Sequence, residues 1–319
     1  MTDAKNLLEV INLKKYYPTP RGLLYAVDDV SFSIGHGKTL GLVGESGCGK
    51  STIGRTVLRL IEPTAGKVIY NGVEINKLSH EEMRLHRRDM QIIFQDPFSS
   101  LNPRKTVSQI IGAPLKLNKM TSKKTELTDR IVTMMETVGL AERYFNTYPH
   151  ELDGGRRQRI GIARAIISNP KFIVCDEPVS ALDVSIQAQI LNLMKELQEK
   201  FNLTYIFITH DLSVVNHFSD DIAVMYLGKL VEQASPEELF ENPAHPYTKA
   251  LLSAIPIPSI RNRSQRILIK GEISSPIGPL VGCRFAPRCP VATEHCAKNE
   301  PQSVEISPNH IVSCFEYAK

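Results

Sequence analysis

The sequence has no tryptophan and only 7% aromatic residues, so the stacking platform used to bind single-stranded nucleic acid has no support. Its net charge of +4 is small, and the Lys and Arg residues are scattered rather than blocked, which argues against a nucleic-acid partner. No apolar run approaches the roughly 18 residues that a membrane span needs. The stretch Met1 to Leu8 lacks the apolar centre of a secretory signal. The expectation is a cytosolic protein whose membrane role is peripheral. Cysteine is sparse until late in the chain: Cys48 and Cys175 stand alone, and four more fall within the last 37 of 319 residues. In a reducing compartment such crowding reads as metal binding before disulfides. With 42% hydrophobic residues, the chain has material for one large or two modest domains.

The chemistry centres on Gly44-Glu45-Ser46-Gly47-Cys48-Gly49-Lys50-Ser51-Thr52, which fits G-x-x-x-x-G-K-[ST]. Lys38 to Val43 before it reads as a buried strand, and Ile53 to Leu60 after it reads as a helix. A strand, a glycine turn and a helix N-terminus wrap backbone N–H groups round a phosphate. Lys50 is placed to reach the β- and γ-phosphates and the Ser51 hydroxyl to ligate Mg²⁺. The chain is therefore expected to bind a nucleoside triphosphate.

Strands are expected at Leu8 to Leu13 and Ala26 to Ile34, joined by a loop at Tyr16 to Gly22 whose two tyrosines either stack on a base or cover a sheet edge. Gly66 to Ile75, with Asn71-Gly72, reads as a hairpin. Gln91 to Phe94 is another strand, ending at Gln95. Thr106 to about Tyr148 turns helical, with an amphipathic run at Thr128 to Gly139. Gly154 and Gly155 precede a helix expected at Ile160 to Ile167 and offer a second set of exposed N–H groups. Lys171 to Cys175 is an apolar strand ending in Asp176 and Glu177. The first is suited to Mg²⁺ and the second to taking a proton from the attacking water. Ser180 to Asp183 and a helix at Ile186 to Lys200 follow. The strand Thr204 to Thr209 ends at His210, which is placed to hydrogen-bond a γ-phosphate.

Taken in order, these stretches resemble the ATPase subunit of an ATP-binding cassette (ABC) transporter over roughly residues 6 to 240. Gly44 to Thr52 is similar to its Walker A loop, Gln95 to its Q-loop glutamine and Leu152 to Gln158 to its signature. Ile173 to Glu177 is similar to Walker B with the catalytic glutamate, Ser180 to Asp183 to the D-loop, and His210 to the switch histidine. Tyr17, with Tyr16 as second choice, falls where the family stacks adenine. The resemblance implies ATP and Mg²⁺ as ligands, with Ser51, Gln95 and Asp176 on the metal. Glu177, His210 and Gln95 then serve catalysis, and Asp153, Gly154, Gly155 and Asp183 contact nucleotide. The implied fold is an α/β P-loop cassette over residues 1–240, with an antiparallel β subdomain and a helical subdomain at about 97–160. A C-terminal extension covers 241–319. Gln95 to Arg104 and Asn242 to Leu252 are similar to stretches of dipeptide and oligopeptide importer ATPases. That implies a heterodimer of related ATPases on two membrane permease subunits, at the cytoplasmic face of the plasma membrane, served by an external substrate-binding protein. Nickel or another small solute is the alternative cargo. A soluble ABC ATPase acting on ribosomes or DNA, and a metal or redox sensor built on the cysteine segment, are the competing functions.

One departure stands out. The family's signature usually has Ser where this chain has Asp153, and often Gln where it has Arg156. In ABC dimers the signature faces ATP held by the other chain, and an ionised Asp cannot donate to its γ-phosphate. Like charges about 4 Å apart at an effective dielectric near 20 repel by roughly 4 kcal/mol. Arg156 or Arg157 could screen this from the same helix turn.

The late cysteines, Cys283, Cys289, Cys296 and Cys314, follow the pattern C-x5-C-x6-C-x17-C. Four thiolates suffice for a tetrahedral Zn²⁺ or one iron–sulfur cluster. Zinc prefers close C-x2–4-C pairs, absent here, so a [4Fe–4S] cluster leads, with zinc or unligated and disulfide-linked cysteines as alternatives. Similar tails in the importer ATPases point the same way. Arg284, Arg288 and Lys298 either offset the cluster's charge or form a solvated face. No cysteine of this group lies among the ATP motifs, so a structural clamp on the extension is expected.

Overall fold

The computed structural model describes residues 6–121, 123–255, 267–269, 271, 277–278 and 280–318. The chain forms two compact units. One comprises Met1–Ile34, Thr39–Asn76 and Phe207–Lys319; the other comprises Gly35–Lys38 and Lys77–Ile206.

In the first unit the strand Thr39–Val43 is buried at all five positions, as a strand covered on both faces must be. It pairs in parallel with Asp221–Tyr226, Leu40 opposite Asp221 and Val43 opposite Val224. Asp221–Tyr226 turns back antiparallel into Lys229–Ala234. The turn between them has both Leu227 and Gly228 at positive φ, the backbone that a tight two-residue hairpin requires. Beyond Lys229–Ala234 the C-terminal strands His310–Val312 and Val304–Ser307 extend the same sheet. These last two strands were not expected from the sequence. They are short, and only His310 and Val312 are buried, so the alternation carries little signal.

The same unit holds an antiparallel sheet in the order Gly22–Gly35, Asn6–Thr19, Ala65–Tyr70, Val73–Glu74. This corrects the expected loop at Tyr16 to Gly22: the first strand runs on to Thr19, and the turn is confined to Pro20 and Arg21. The aromatics explain the difference. Tyr16 donates its hydroxyl to Asp28 Oδ1 at 2.5 Å, and its ring lies 4.6 Å from that of Tyr25, cross-strand contacts that favour continued pairing.

In the second unit Met90–Ile93 and Phe172–Asp176 run parallel, Met90 opposite Phe172 and Ile93 opposite Cys175. Phe172, Ile173 and Val174 are all fully buried, and each stabilises the core by about 1.5–3 kcal/mol. The expected helical stretch resolves into Val107–Ile111, Ala113–Leu117 and Lys124–Thr137. The amphipathic reading of the third holds: Ile131, Met134 and Met135 are its buried residues, at i, i+3 and i+4. The helix expected at Ile160 begins earlier, spanning Gly154–Ile166. Paired glycines hide such a start because of their low helix propensity; here Asp153 caps it by accepting from the Arg156 backbone N–H at 2.8 Å. Among the described residues, no helix is long and apolar enough to cross a membrane.

Candidate nucleotide site and the cysteine-rich segment

The glycine turn Gly44–Gly49 lies between the strand Thr39–Val43 and the helix Lys50–Val57, as the sequence motif requires. Gly49 has φ 109°, and a Cβ there would collide with the Ala26 carbonyl oxygen, so no other residue fits that corner without distortion. Lys50 is buried, and its ammonium donates to the carbonyls of Gly44 at 2.7 Å and Glu45 at 2.9 Å. Cys48 is also buried, which pushes its thiol pKa up although the Lys50 charge pulls the other way. Ser51 and Thr52 open the helix. His210 follows the strand Thr204–Thr209 and is exposed. Tyr17 is half-buried with the Lys15 ammonium 4.9 Å from its ring centre. Tyr16 is committed to Asp28, and its hydroxyl pKa is raised by burial and by that hydrogen bond. Of the two tyrosines, Tyr16 is therefore the one already engaged within its own sheet.

The remaining predicted nucleotide-site residues lie in the second unit. Asp176 ends the strand Phe172–Asp176 and is buried. Glu177 follows with φ 49°, a left-handed backbone uncommon for a non-glycine residue, which persists where the surrounding structure over-determines it. Gln95 Nε2 donates to Glu177 Oε2 at 2.9 Å, so the structure joins two residues 82 positions apart. Asp183 is exposed at the start of the helix Val184–Phe201.

The signature differs from its sequence reading in two ways. Gly154 and Gly155 are half-buried, and a Cβ on Gly155 would lie 2.9 Å from Ile186 Cγ2; close packing as well as N–H exposure explains the pair. Of the two candidate screening arginines, Arg156 forms an ion pair with Asp153. Arg157 does not: it is buried, donates to the Pro149 carbonyl at 2.6 Å and lies 3.8 Å over the Phe98 ring.

The C-terminal segment is built onto the first unit. Cys283 N–H donates to the Cys296 carbonyl at 2.7 Å, closing a loop that holds these cysteines side by side. Cys314 follows the strand His310–Val312, where Ser313 N–H donates to the Val231 carbonyl at 2.9 Å. Cys283, Cys289, Cys296 and Cys314 line one cavity of about 290 Å³, walled also by Phe285 and Phe315. All four are free thiols, and burial raises the pKa of Cys283, Cys289 and Cys314. Among the described residues, however, no three Cys, His, Asp or Glu side chains stand at the spacing that holds a single metal ion.

The nearby cations correct the sequence reading. Arg284 pairs with Asp28 and donates to the Leu227 carbonyl, and Arg288 grips Glu45 through Nη1 at 2.9 Å and Nη2 at 3.3 Å. Both are anchors rather than counter-charges for the cysteines. Lys298 is the solvated one, paired among the described residues with Glu294 at 3.4 Å. A further pair of residues, missed in the sequence, ties down the stretch Asn242 to Leu252. Buried Glu232 accepts from the backbone N–H of Ala244 at 2.6 Å and of His245 at 2.9 Å, and from His310 Nε2 at 2.8 Å. A lone Glu in a short strand gave no signal for this role.

Residues 27–180 match the family model for ABC transporter ATPases, and residues 231–296 match that for the oligopeptide/dipeptide transporter C-terminal region. The chain is 51% identical to the oligopeptide transport ATP-binding protein AppF of Bacillus subtilis, covering 99% of both chains. It is 49% identical to the dipeptide transport ATP-binding protein DppF of Haemophilus influenzae, covering 97% of this chain and 96% of the other. Among solved structures, a post-hydrolysis dimer of an ATP-binding cassette bound to ADP and phosphate aligns with a TM-score of 0.66 at 30% identity. It covers 72% of this chain and 98% of that one. With the P-loop and the Gln95–Glu177 pair in place, these likenesses show that the chain belongs to the ABC transporter ATPases, in the branch that carries the oligopeptide/dipeptide C-terminal region.

Proposed function

We propose that this chain is the ATP-hydrolysing subunit of an importer for di- or oligopeptides, working at the cytoplasmic face of the plasma membrane. It pairs there with a second, related ATPase subunit on two permease subunits, fed by an external binding protein. The observation that carries the reading is a buried-lysine phosphate loop in a chain that matches peptide-transport ATP-binding proteins over nearly its full length. Residues 1–240 form the cassette and 241–319 the extension.

In this reading Gly44 to Thr52 cradle the phosphates, Tyr17 stacks on adenine, and Ser51, Gln95 and Asp176 hold Mg²⁺. Glu177 takes the proton of the attacking water, His210 contacts the γ-phosphate, and Asp153, Gly154, Gly155 and Asp183 meet nucleotide at the dimer face. Gln95 uses its amide nitrogen on Glu177, which leaves the amide oxygen as the atom to face a cation. The cysteine segment holds a [4Fe–4S] cluster, which would brace the extension. Four thiols round one cavity supply the donor set.

The test is purification from membranes followed by reconstitution with the permeases and binding protein in vesicles. ATP-dependent peptide uptake is expected. Co-purification with ribosomes or DNA and no permease, or uptake of nickel but not peptide, overturns the assignment.

A further inference from the structure

Glu45 is held from three sides. Its backbone N–H donates to the Tyr247 hydroxyl at 3.0 Å. Its carboxylate receives both terminal nitrogens of Arg288. Its carbonyl receives the Lys50 ammonium and, at 3.3 Å, the Cys48 N–H. Two of these three grips come from the C-terminal region, and the third is the lysine of the phosphate loop itself.

The two gripping residues are rigidly supported. Tyr247 is fully buried, with its ring 4.8 Å from Tyr226 and 5.4 Å from Phe285. Tyr226 ends a core strand and Phe285 belongs to the cysteine segment, so one aromatic cluster welds the segment to the sheet. Arg288 also donates to the Tyr226 hydroxyl at 3.4 Å. The two-pronged guanidinium–carboxylate geometry is the strong form of this pair, and a lysine cannot reproduce it fully.

We propose that Arg288 and Tyr247 are positioning residues for the phosphate loop, acting through Glu45 on Lys50 and on the charge that bound phosphates meet. The inference rests on the reading of Gly44 to Thr52 as the ATP loop. Arg288 neutralises the Glu45 carboxylate; without it, an unpaired anion stands in the loop that must accept a polyanion. Tyr247 fixes the peptide whose carbonyl end holds Lys50. The C-terminal segment thus tunes nucleotide affinity from outside the cassette motifs.

The test is the affinity of the full chain for magnesium and a non-hydrolysable ATP analogue, measured by calorimetry. Turnover is read in the assembled transporter. Arg288→Ala is expected to weaken binding about tenfold, within the usual range of coupling between sites, raising KM while kcat stays near wild type. Arg288→Lys recovers part of the loss. Adding Glu45→Gln to Arg288→Ala removes the stranded carboxylate and restores affinity to within about threefold, because deleting both members of a partly buried pair costs less than deleting one. Tyr247→Phe, which orphans the Glu45 N–H, weakens binding in the same direction. Unchanged affinity in Arg288→Ala overturns the proposal, and so does a double variant as weak as the single one, since general damage to the fold is not repaired by a second substitution. Wild-type protein that binds no nucleotide instead overturns the ATP-loop reading itself.

Discussion

Gln95 and Glu177 meet at 2.9 Å, amide nitrogen to carboxylate oxygen, with Glu177 held in a left-handed backbone conformation at φ 49°. The pair fixes the orientation of the carboxylate assigned to the attacking water. Glu177→Gln is expected to retain ATP binding and lower turnover by about 10²–10⁴, the span for a lost general base. Gln95→Ala is expected to lower kcat about tenfold or more, since a hydrogen bond to a charged group is worth roughly 1.5–3 kcal/mol. Steady-state hydrolysis in the reconstituted transporter checks both, and near wild-type turnover by Glu177→Gln rules out its role.

Asp153 raises a question of sign that the geometry helps to decide. Its ion pair with Arg156 is largely solvent-exposed, with side chains 57% and 44% accessible. Such pairs contribute about 0–1 kcal/mol, against a repulsion of roughly 4 kcal/mol from a facing phosphate charge. Repulsion wins. Asp153→Ser is therefore expected to strengthen ATP-driven self-association while leaving thermal stability nearly unchanged, because Ser caps the helix as well as Asp does. Analytical ultracentrifugation with and without ATP reads the first, and a melting curve the second. Equal association by both proteins would count against the repulsion.

The same residue implies an asymmetric pair of sites. In the proposed heterodimer the nucleotide bound by this chain would meet the partner's signature, and the partner's nucleotide would meet Asp153. Glu177→Gln here is expected to silence the heterodimer, while the equivalent change in the partner does much less. Matching losses from both substitutions, measured as ATPase rate of the complex, would remove the asymmetry.

Why these features were or were not legible in the sequence is a matter of range. The P-loop strand, turn and helix are contiguous, so Gly44 to Thr52 and the strand Thr39–Val43 could be read directly from spacing and apolar runs. The capped helix at Gly154 was misplaced because local propensity opposed a tertiary fit, the packing of Gly155 against Ile186. From its neighbours Arg288 reads either as a counter-charge for the cysteines or as part of a solvated face, yet its carboxylate partner lies 243 residues away, and no periodicity encodes that. Cys283 and Cys296 converge through a backbone bond rather than through close spacing. The absence of C-x2–4-C pairs was therefore silent about the loop.

His245 supplies a pH dependence. It is buried, which pushes its pKa down to about 3, with the Lys249 charge adding to the effect. Its Nδ1 accepts the Tyr247 N–H at 3.0 Å, a role only the neutral ring can fill. Glu232 receives its backbone N–H, and Cys283 lines the same cavity. In the unfolded chain the ring binds a proton near pH 6.5, whereas the folded chain resists until about pH 3. The unfolded state thus binds more protons across that window, and stability falls as pH drops through it. His245→Asn keeps an acceptor without titrating there. The stability advantage of the wild type over His245→Asn is expected to shrink between pH 6.5 and 4 in denaturant titrations. A constant difference would mean the ring is not held neutral.

The cysteine cavity gives the last prediction. Cys283, Cys289 and Cys314 have thiol pKa values raised chiefly by burial, so without a metal they stay protonated at neutral pH, and loading a cluster must release protons. The loop that carries Cys283, Cys289 and Cys296 is short of apolar core: Phe285 is its one fully buried residue. A segment so built gains most from a multivalent clamp. Protein purified without oxygen is expected to be brown, with broad absorption at the violet edge of the visible and about four irons and matching sulfide per chain. Cys296→Ser should lower iron content and melting temperature together, while Cys175→Ser, whose thiol is buried in the other unit, should leave iron content unchanged. A colourless preparation with one zinc per chain and no sulfide decides for zinc. A colourless one with no metal at all decides for free thiols, and in that case Cys296→Ser leaves the melting temperature where it was.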